Sequence, residues 1–139
     1  QNTNLRSPFL CSREAMKVMR VQKSGRIINI SSVSGQYGSL SGAVHYGATK
    51  GGQFGLTKTL ARTAAPLGIT VNAVAPGLIE TELFRTTLSP EKQKEYADGV
   101  PLGLGQVEDV GHAVVYLAGP GGRYITGSTI DVNGGAYYR

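Results

Sequence analysis

The chain has 139 residues, 40% of them hydrophobic and 17% charged, the size and composition of one globular domain and too short for two. A single cysteine, Cys11, and two histidines, His45 and His112, exclude an internal disulfide and supply too few ligands for structural zinc, so no metal site is expected. The net charge is +5, and six of the 14 basic residues (Arg6, Arg13, Lys17, Arg20, Lys23 and Arg26) stand in the first 26 positions. No aromatic residues alternate with these charges, as binding to single-stranded nucleic acid requires. A solvated helix face is the expected reading, and a docking face for an acidic partner or a cofactor phosphate is the alternative. Nucleic acid is not an expected partner. No apolar run approaches the ~20 residues of a membrane span, and charges interrupt any signal-peptide core near the start, so a cytoplasmic protein is expected.

Ser7-Pro8 opens the first predicted helix, with Ser7 as N-cap and Pro8 at the first helical position. Phe9, Leu10, Ala15, Met16, Val18 and Met19 give it a broad apolar side, and Gly25 marks its end. Arg26 to Ser31 is a short run rich in isoleucine, typical of a buried strand. Residues 34–44 are rich in Gly and Ser and read as a loop. From about His45 to Ala65 the pattern is helical, stopped by Pro66 and Gly68.

Ile69 to Val74 reads as a second strand, broken by Pro76-Gly77. Ser89-Pro90 opens a short polar helix running toward Gly99. Between Gln106 and Ala118, Val110, Ala113, Val114 and Leu117 recur at i, i+3, i+4 and i+7, one buried stripe of a third well-defined helix. Ser128 to Val132 is the last strand. Strands separated by helices imply crossovers and a parallel sheet, hence an α/β fold. A sheet of about three strands would leave both edges open.

Tyr46 and Lys50 sit at i and i+4 on the second long helix, about 5–6 Å apart at Cβ and on one face. A free phenol has a pKa near 10, too high for a base at neutral pH. A neighbouring ammonium stabilises the phenolate, and bringing its pKa near 7 takes roughly 4 kcal/mol. A bare Tyr-x-x-x-Lys pair is equally a surface pair on an amphipathic helix. Its surroundings favour chemistry, because Gly47, Ala48, Gly51, Gly52 and Gly55 are all small. Each helix-interior glycine costs up to ~1 kcal/mol relative to alanine, so close approach of another backbone or of a flat ligand is expected. Ser32 directly follows the first strand, where ligands bind in open parallel sheets. By composition it competes with Ser31, Ser34, Ser39 and Ser41 as a simple turn residue.

These residues form an ordered series. It runs Ile30-Ser31-Ser32, Tyr46-Gly-Ala-Thr-Lys50, Val71-Asn-Ala-Val-Ala-Pro76-Gly77, Tyr124-Ile-Thr-Gly127, and Val132-Asn-Gly-Gly135. The series resembles the classical short-chain dehydrogenase/reductases from their fourth helix to near the C-terminus, and most of all their 3-oxoacyl-acyl-carrier-protein reductase type. The resemblance implies the C-terminal half of a Rossmann-like doubly wound parallel sheet, with 1–139 a single partial domain and 82–102 a mobile substrate lid. It implies an oxidoreductase that interconverts a secondary alcohol and a carbonyl by hydride transfer with NAD or NADP. The catalytic set it implies is Asn4, Ser32, Tyr46 and Lys50. Tyr46 is the proton donor for reduction and the base for oxidation, Lys50 lowers its pKa and holds the nicotinamide ribose, and Ser32 orients the carbonyl. Asn4 holds a relay water through its main chain. Proline has no N–H, so Pro8 would leave the carbonyl of Asn4, four residues earlier, free for that water. Pro76 and Gly77 bring backbone against the nicotinamide, and Ile79 and Thr81 contact its carboxamide or the pyrophosphate. The family commonly assembles as homo-oligomers through the two helices represented here by 8–23 and 45–65.

The sequence also departs from the family pattern. Ser32 and Tyr46 are 14 positions apart, one more than the commonest spacing, so the intervening loop must bulge. Ser34, 12 positions from Tyr46, is a weaker candidate for the serine. Lys23 could receive an acidic acyl carrier, but Leu67 stands where a second cation is expected, which puts an acyl-carrier substrate in doubt. No G-x-G-x-x-G stands between a strand and a helix. The family's phosphate loop would lie before Gln1, and with it the choice between NAD and NADP. The alternative reading is a non-enzymatic remnant that serves as a binding or assembly module.

Overall fold

The computed structural model describes residues 1–39 and 42–138. Its main elements are α1 (Ser7–Gln22), β1 (Gly25–Ile30), α2 (Ser34–Tyr37), α3 (Val44–Ala64), β2 (Ile69–Pro76), α4 (Glu82–Thr87), α5 (Pro90–Asp98), α6 (Val107–Ala118) and β3 (Thr129–Val132). The three strands form one parallel sheet in the order β1-β2-β3. Gly25 to Ile30 register against Ile69 to Val74, and Ala73 to Pro76 against Thr129 to Val132. This is the expected α/β architecture.

Every residue of β2 from Ile69 to Ala75 is buried, so both faces of the central strand are covered. Side chains alternate along a strand. Ile69 and Val71 point into a cluster with Ile27, Ala61 and Ala64, backed by Met16 and Met19 of α1 and Leu60 of α3. Thr70, Asn72 and Val74 therefore face the other way, where α6, which packs on all three strands, covers them. The stripe expected on α6 is the one that packs, with Leu117 fully buried and Val110, Ala113 and Val114 half-buried. Burial of a side chain the size of Leu117 contributes about 2 kcal/mol.

Three expected details differ. Ser7 is not an N-cap: the helix begins upstream as a π-helical turn, Asn2–Arg6, and the Ser7 N–H donates to the Asn2 carbonyl five residues back. Proline removes a backbone donor and crowds the carbonyl four residues earlier, and a wider turn relieves that crowding. Gly25 does not end α1. Lys23 does so in the left-handed conformation (φ 53°), and Gly25 starts β1 tight against the Met19 side chain. Within 34–44, Ser34–Tyr37 is a short helix rather than loop, held by its packing on α3.

Candidate active site

The carboxyl end of β1 is joined to β2 and α3 by hydrogen bonds that place each functional side chain. The Ser31 N–H donates to the Val74 carbonyl (2.8 Å) and the Val33 N–H to the Pro76 carbonyl (3.0 Å). Ser31 then donates its hydroxyl to the Lys50 carbonyl (2.8 Å), which pins α3 beside the strand end. Deeper, the Asn29 amide donates to Thr57 Oγ1 at 2.9 Å, a buried contact made along the same helix. Ser32 is buried, and its Oγ accepts the Ser34 N–H (3.1 Å), which leaves its own proton to donate elsewhere. Ser31 thus takes the structural part and Ser32 opens toward the cleft. Ser34 and Ser39 line the same cleft, and Ser41 lies outside the described residues.

Tyr46 and Lys50 lie one turn apart on α3, with the Lys50 ammonium 5.8 Å from the centre of the Tyr46 ring. Lys50 Nζ donates to the Ile30 carbonyl at 2.9 Å, which anchors it at the last residue of β1. Partial burial lowers the Lys50 pKa from its ordinary value.

The glycines of α3 have separate explanations. A Cβ at Gly51 would sit 3.1 Å from the Gly35 carbonyl, and one at Gly47 would sit 3.2 Å from the Ser34 carbonyl. From the other side, a Cβ at Gly35 would lie 2.6 Å from the backbone of Lys50 and Gly51. Backbone packs on backbone between α2 and α3, one of the two causes expected. Gly52 instead accommodates the Leu5 side chain, and Gly55 faces open space.

Ser32, Tyr46 and Gly77 converge on one cleft of about 350 Å³. Glu95, Tyr96 and Val100 from the 82–102 segment form one wall, and Tyr37 and Ala136 contribute from α2 and the C-terminal segment. Pro76 ends β2 just behind Gly77. Gly77 is glycine because a Cβ there would meet Asn133 at 2.8 Å. Ile79 and Thr81 do not line this cleft. Ile79 forms a bridge with Gly105 beside a neighbouring cavity, and Thr81 caps α4 by accepting the Phe84 N–H at 3.2 Å.

Asn4 reaches α3 as well, its amide 3.4 Å from Thr49 Oγ1. Its carbonyl, expected to be free, is engaged: the Gln53 side-chain amide donates to it. Gln53 is almost wholly buried, and a glutamine in the interior of a helix among small residues was the signal that could have pointed to it. A carbonyl has two lone pairs, so one acceptor site remains on Asn4. Tyr37, Tyr96 and Ala136 also carry no local sequence signal. Nothing in their spacing relates them to Tyr46.

The family model described as enoyl-(acyl carrier protein) reductase matches residues 1–137. The chain belongs to the short-chain dehydrogenase/reductase family. It is 46% identical over 138 residues to the 3-oxoacyl-acyl-carrier-protein reductase FabG of Pseudomonas aeruginosa, covering 98% of this chain and 55% of that one. It is 44% identical to the acetoacetyl-CoA reductase of Rhizobium meliloti, covering 98% and 56%. Among solved structures, it matches ElxO with NADP bound at a TM-score of 0.90 and 35% identity, covering 97% of this chain and 55% of ElxO. It matches the 3-oxoacyl-acyl-carrier-protein reductase of Brucella melitensis at 0.89 and 37%, covering 98% and 51%. The chain therefore spans about half the length of the curated relatives it matches.

Proposed function

We propose that this chain is the substrate-handling half of an NAD(P)-dependent oxidoreductase that interconverts a secondary alcohol and a carbonyl. The observation that carries the reading is the convergence of Ser32, Tyr46 and the Gly77 backbone on one cleft, with the Lys50 ammonium behind the phenol.

The cleft suits the nicotinamide end of such a cofactor. It offers a tyrosine hydroxyl, a buried serine hydroxyl and a backbone edge free of any Cβ at Gly77, and no metal-ligating cluster occurs among the described residues. Lys50, Pro76 and Gly77 would hold that end, and Ile79 and Thr81, which follow Gly77 in the chain, would contact its carboxamide or the pyrophosphate. When bound, the cofactor supplies or accepts the hydride at the substrate carbon. In reduction, Ser32 donates a hydrogen bond to the carbonyl oxygen and Tyr46 Oη gives up its proton to the same oxygen as the alcohol forms. The resulting phenolate is stabilised by Lys50 and is reprotonated from solvent, along a path to which Asn4 contributes its remaining carbonyl lone pair. Oxidation reverses each step, with Tyr46 as base. Proton transfer by a positioned side chain of this kind contributes about 10²–10⁴-fold in rate.

The test has two arms. Calorimetric titration of the chain alone should show NADH and NADPH binding no tighter than about millimolar, because a few hydrogen bonds supply little affinity without a phosphate-cradling loop. Joined in one polypeptide to a glycine-rich nucleotide-binding half, the chain should reduce ketones, and Tyr46→Phe should lower kcat/KM by about 10²-fold or more. Turnover indifferent to Tyr46→Phe and Ser32→Ala would refute the reading and favour the non-enzymatic module.

The proposal includes a homo-oligomer and a cytoplasmic setting. A largely apolar groove of about 550 Å³ runs between α1 and α3, lined by Phe9, Met16, Leu56 and Leu60 and edged by Arg13 and Lys17. Gly55 leaves the same helix open to close approach. Sedimentation should show an assembly at micromolar concentration, and a stable monomer at high micromolar concentration would contradict it. Among the described residues no helix is long and apolar enough to cross a membrane. Cys11, a free and exposed thiol, suits a reducing compartment.

A further inference from the structure

The cleft beside Ser32 and Tyr46 is walled by aromatic rings drawn from separate elements. Tyr37 comes from α2, Tyr46 from α3 and Tyr96 from α5. Two of the three are backed by further rings. Tyr37 lies 5.0 Å from Tyr137, tilted by 41°, and Tyr96 lies 6.5 Å from Phe84, tilted by 59°. Both separations fall in the range where aromatic pairs attract beyond simple burial, so each wall ring is held by a partner rather than left to swing. Only the Tyr46 phenol is needed for proton transfer. Tyr37 and Tyr96 occupy positions on the cleft that leucine or valine could fill, as Val33, Leu78 and Val100 do elsewhere on it.

Charge narrows the ligand further. Among the described residues no lysine, arginine or histidine lines the cleft, and the one charged side chain they bring to it, Glu95, is ion-paired with Lys92 at 2.7 Å. An anionic group on the cleft wall would find no cation among the described lining residues, since Lys50 stands behind the Tyr46 ring and is bonded to the Ile30 carbonyl. The cleft volume of about 350 Å³ sits at the small end of ligand pockets, enough for one or two fused rings and a carbonyl arm.

We propose that this cleft selects an uncharged ketone carried on a flat aromatic ring system, with the ring packed against Tyr37 and Tyr96 while the carbonyl meets Ser32 and Tyr46. The inference rests on the oxidoreductase reading for the roles of Ser32 and Tyr46. An aliphatic chain gains burial from any apolar wall. An aromatic ring gains in addition an oriented ring–ring contact, about 2- to 12-fold in affinity per pair.

Ser32, Tyr37, Tyr46 and Tyr96 all belong to this chain, so binding at them is measurable without turnover. With ¹³C-labelled tyrosines, NMR titration would compare 2-acetonaphthone, its saturated counterpart 2-acetyldecalin, and the S-acetoacetyl thioester of N-acetylcysteamine. The naphthyl ketone should bind about fivefold or more tightly than either comparator and shift the Tyr37 and Tyr96 resonances. Tyr96→Leu, on an exposed helix where folding is not at stake, should shrink that preference, as should Tyr37→Leu. Equal or tighter binding of the decalin or thioester ligand, or no binding of any of the three at 10 mM, would overturn the proposal. If the naphthyl ketone is preferred but leaves Tyr46 unshifted and is indifferent to Ser32→Ala, ring selection stands and the oxidoreductase reading fails. If all three ligands shift Tyr46 alike and need Ser32, the oxidoreductase reading stands and ring selection fails.

Discussion

The two sides of the cleft are built differently. On the inner side, Ser31, Ser32, Tyr46 and Lys50 are held by buried backbone. The Ser31 hydroxyl is bonded to α3, the Lys50 ammonium to β1, and Gly35 and Gly51 bring two helices to backbone contact. On the outer side, the segment 82–102 has Val100 as its one buried residue, and Leu83 and Leu102 are 70% and 85% exposed. Its helices are held by side-chain caps and by exposed ion pairs such as Lys94–Asp98 at 2.6 Å. Exposed pairs of this kind contribute little to stability. Under the proposed function the difference is a division of labour: the groups proposed to meet a reacting atom sit on elements with buried anchors, and those proposed to adapt to a ligand sit on a segment with little buried surface to hold it.

The contrast is most easily broken at Gly35. Gly35→Ala places a methyl 2.6 Å from the Lys50 and Gly51 backbone, which has no flexible end to move aside. A loss of about 2–3 kcal/mol is expected by urea denaturation, whereas Tyr96→Ala on the outer wall should cost less than about 1 kcal/mol. Equal losses at the two positions would erase the distinction.

A smaller effect sharpens it. Thr81→Ala removes the cap of α4, worth about 1 kcal/mol. The segment should open before the rest of the molecule, so amide exchange across 82–87 should quicken about fivefold while the global urea midpoint stays put. A lowered midpoint would show that 82–102 folds as one unit with the sheet.

The smallest effect is electrostatic. Burial holds the Lys50 pKa below its ordinary value of 10.5. Between the lowered value and 10.5, the unfolded chain binds more protons at this position than the folded one. Stability contributed at Lys50 therefore rises with pH through that window, and below it the desolvation penalty is fully present. Thermal melts of the native chain and of Lys50→Met between pH 8 and 10.5 should diverge in favour of the native chain as pH rises. A constant difference would mean that the ammonium is effectively solvated.

Much of this was legible in the sequence because it depends on local pattern. The buried strand runs, the Pro and Gly stops, the α6 stripe and the i, i+4 spacing of Tyr46 and Lys50 are short-range features. Short-range sterics and amphipathic periodicity turn such features into elements with little help from the rest of the chain. Composition did not divide Ser31 from Ser32, and only the family resemblance singled out Ser32, because adjacent serines differ only in which way the strand end turns them. The helix at Ser34–Tyr37 was also hidden. Its N-cap position, Val33, offers no side-chain cap and its four residues show no periodicity, and it packs on the glycine face that α3 offers.

The sequence by itself determined an α/β chain with a tyrosine and a lysine on one helical face near the carboxyl end of a parallel strand. Only the tertiary structure decided what surrounds that pair. It placed Gln53 on the Asn4 carbonyl, 49 residues away in sequence, Ile79 in a bridge with Gly105, and Thr81 at the start of α4. It also gathered Tyr37 and Tyr96 around one space. The physical reason is range: backbone sterics and side-chain periodicity act over a few residues, whereas a cleft is the gap left where distant surfaces fail to meet.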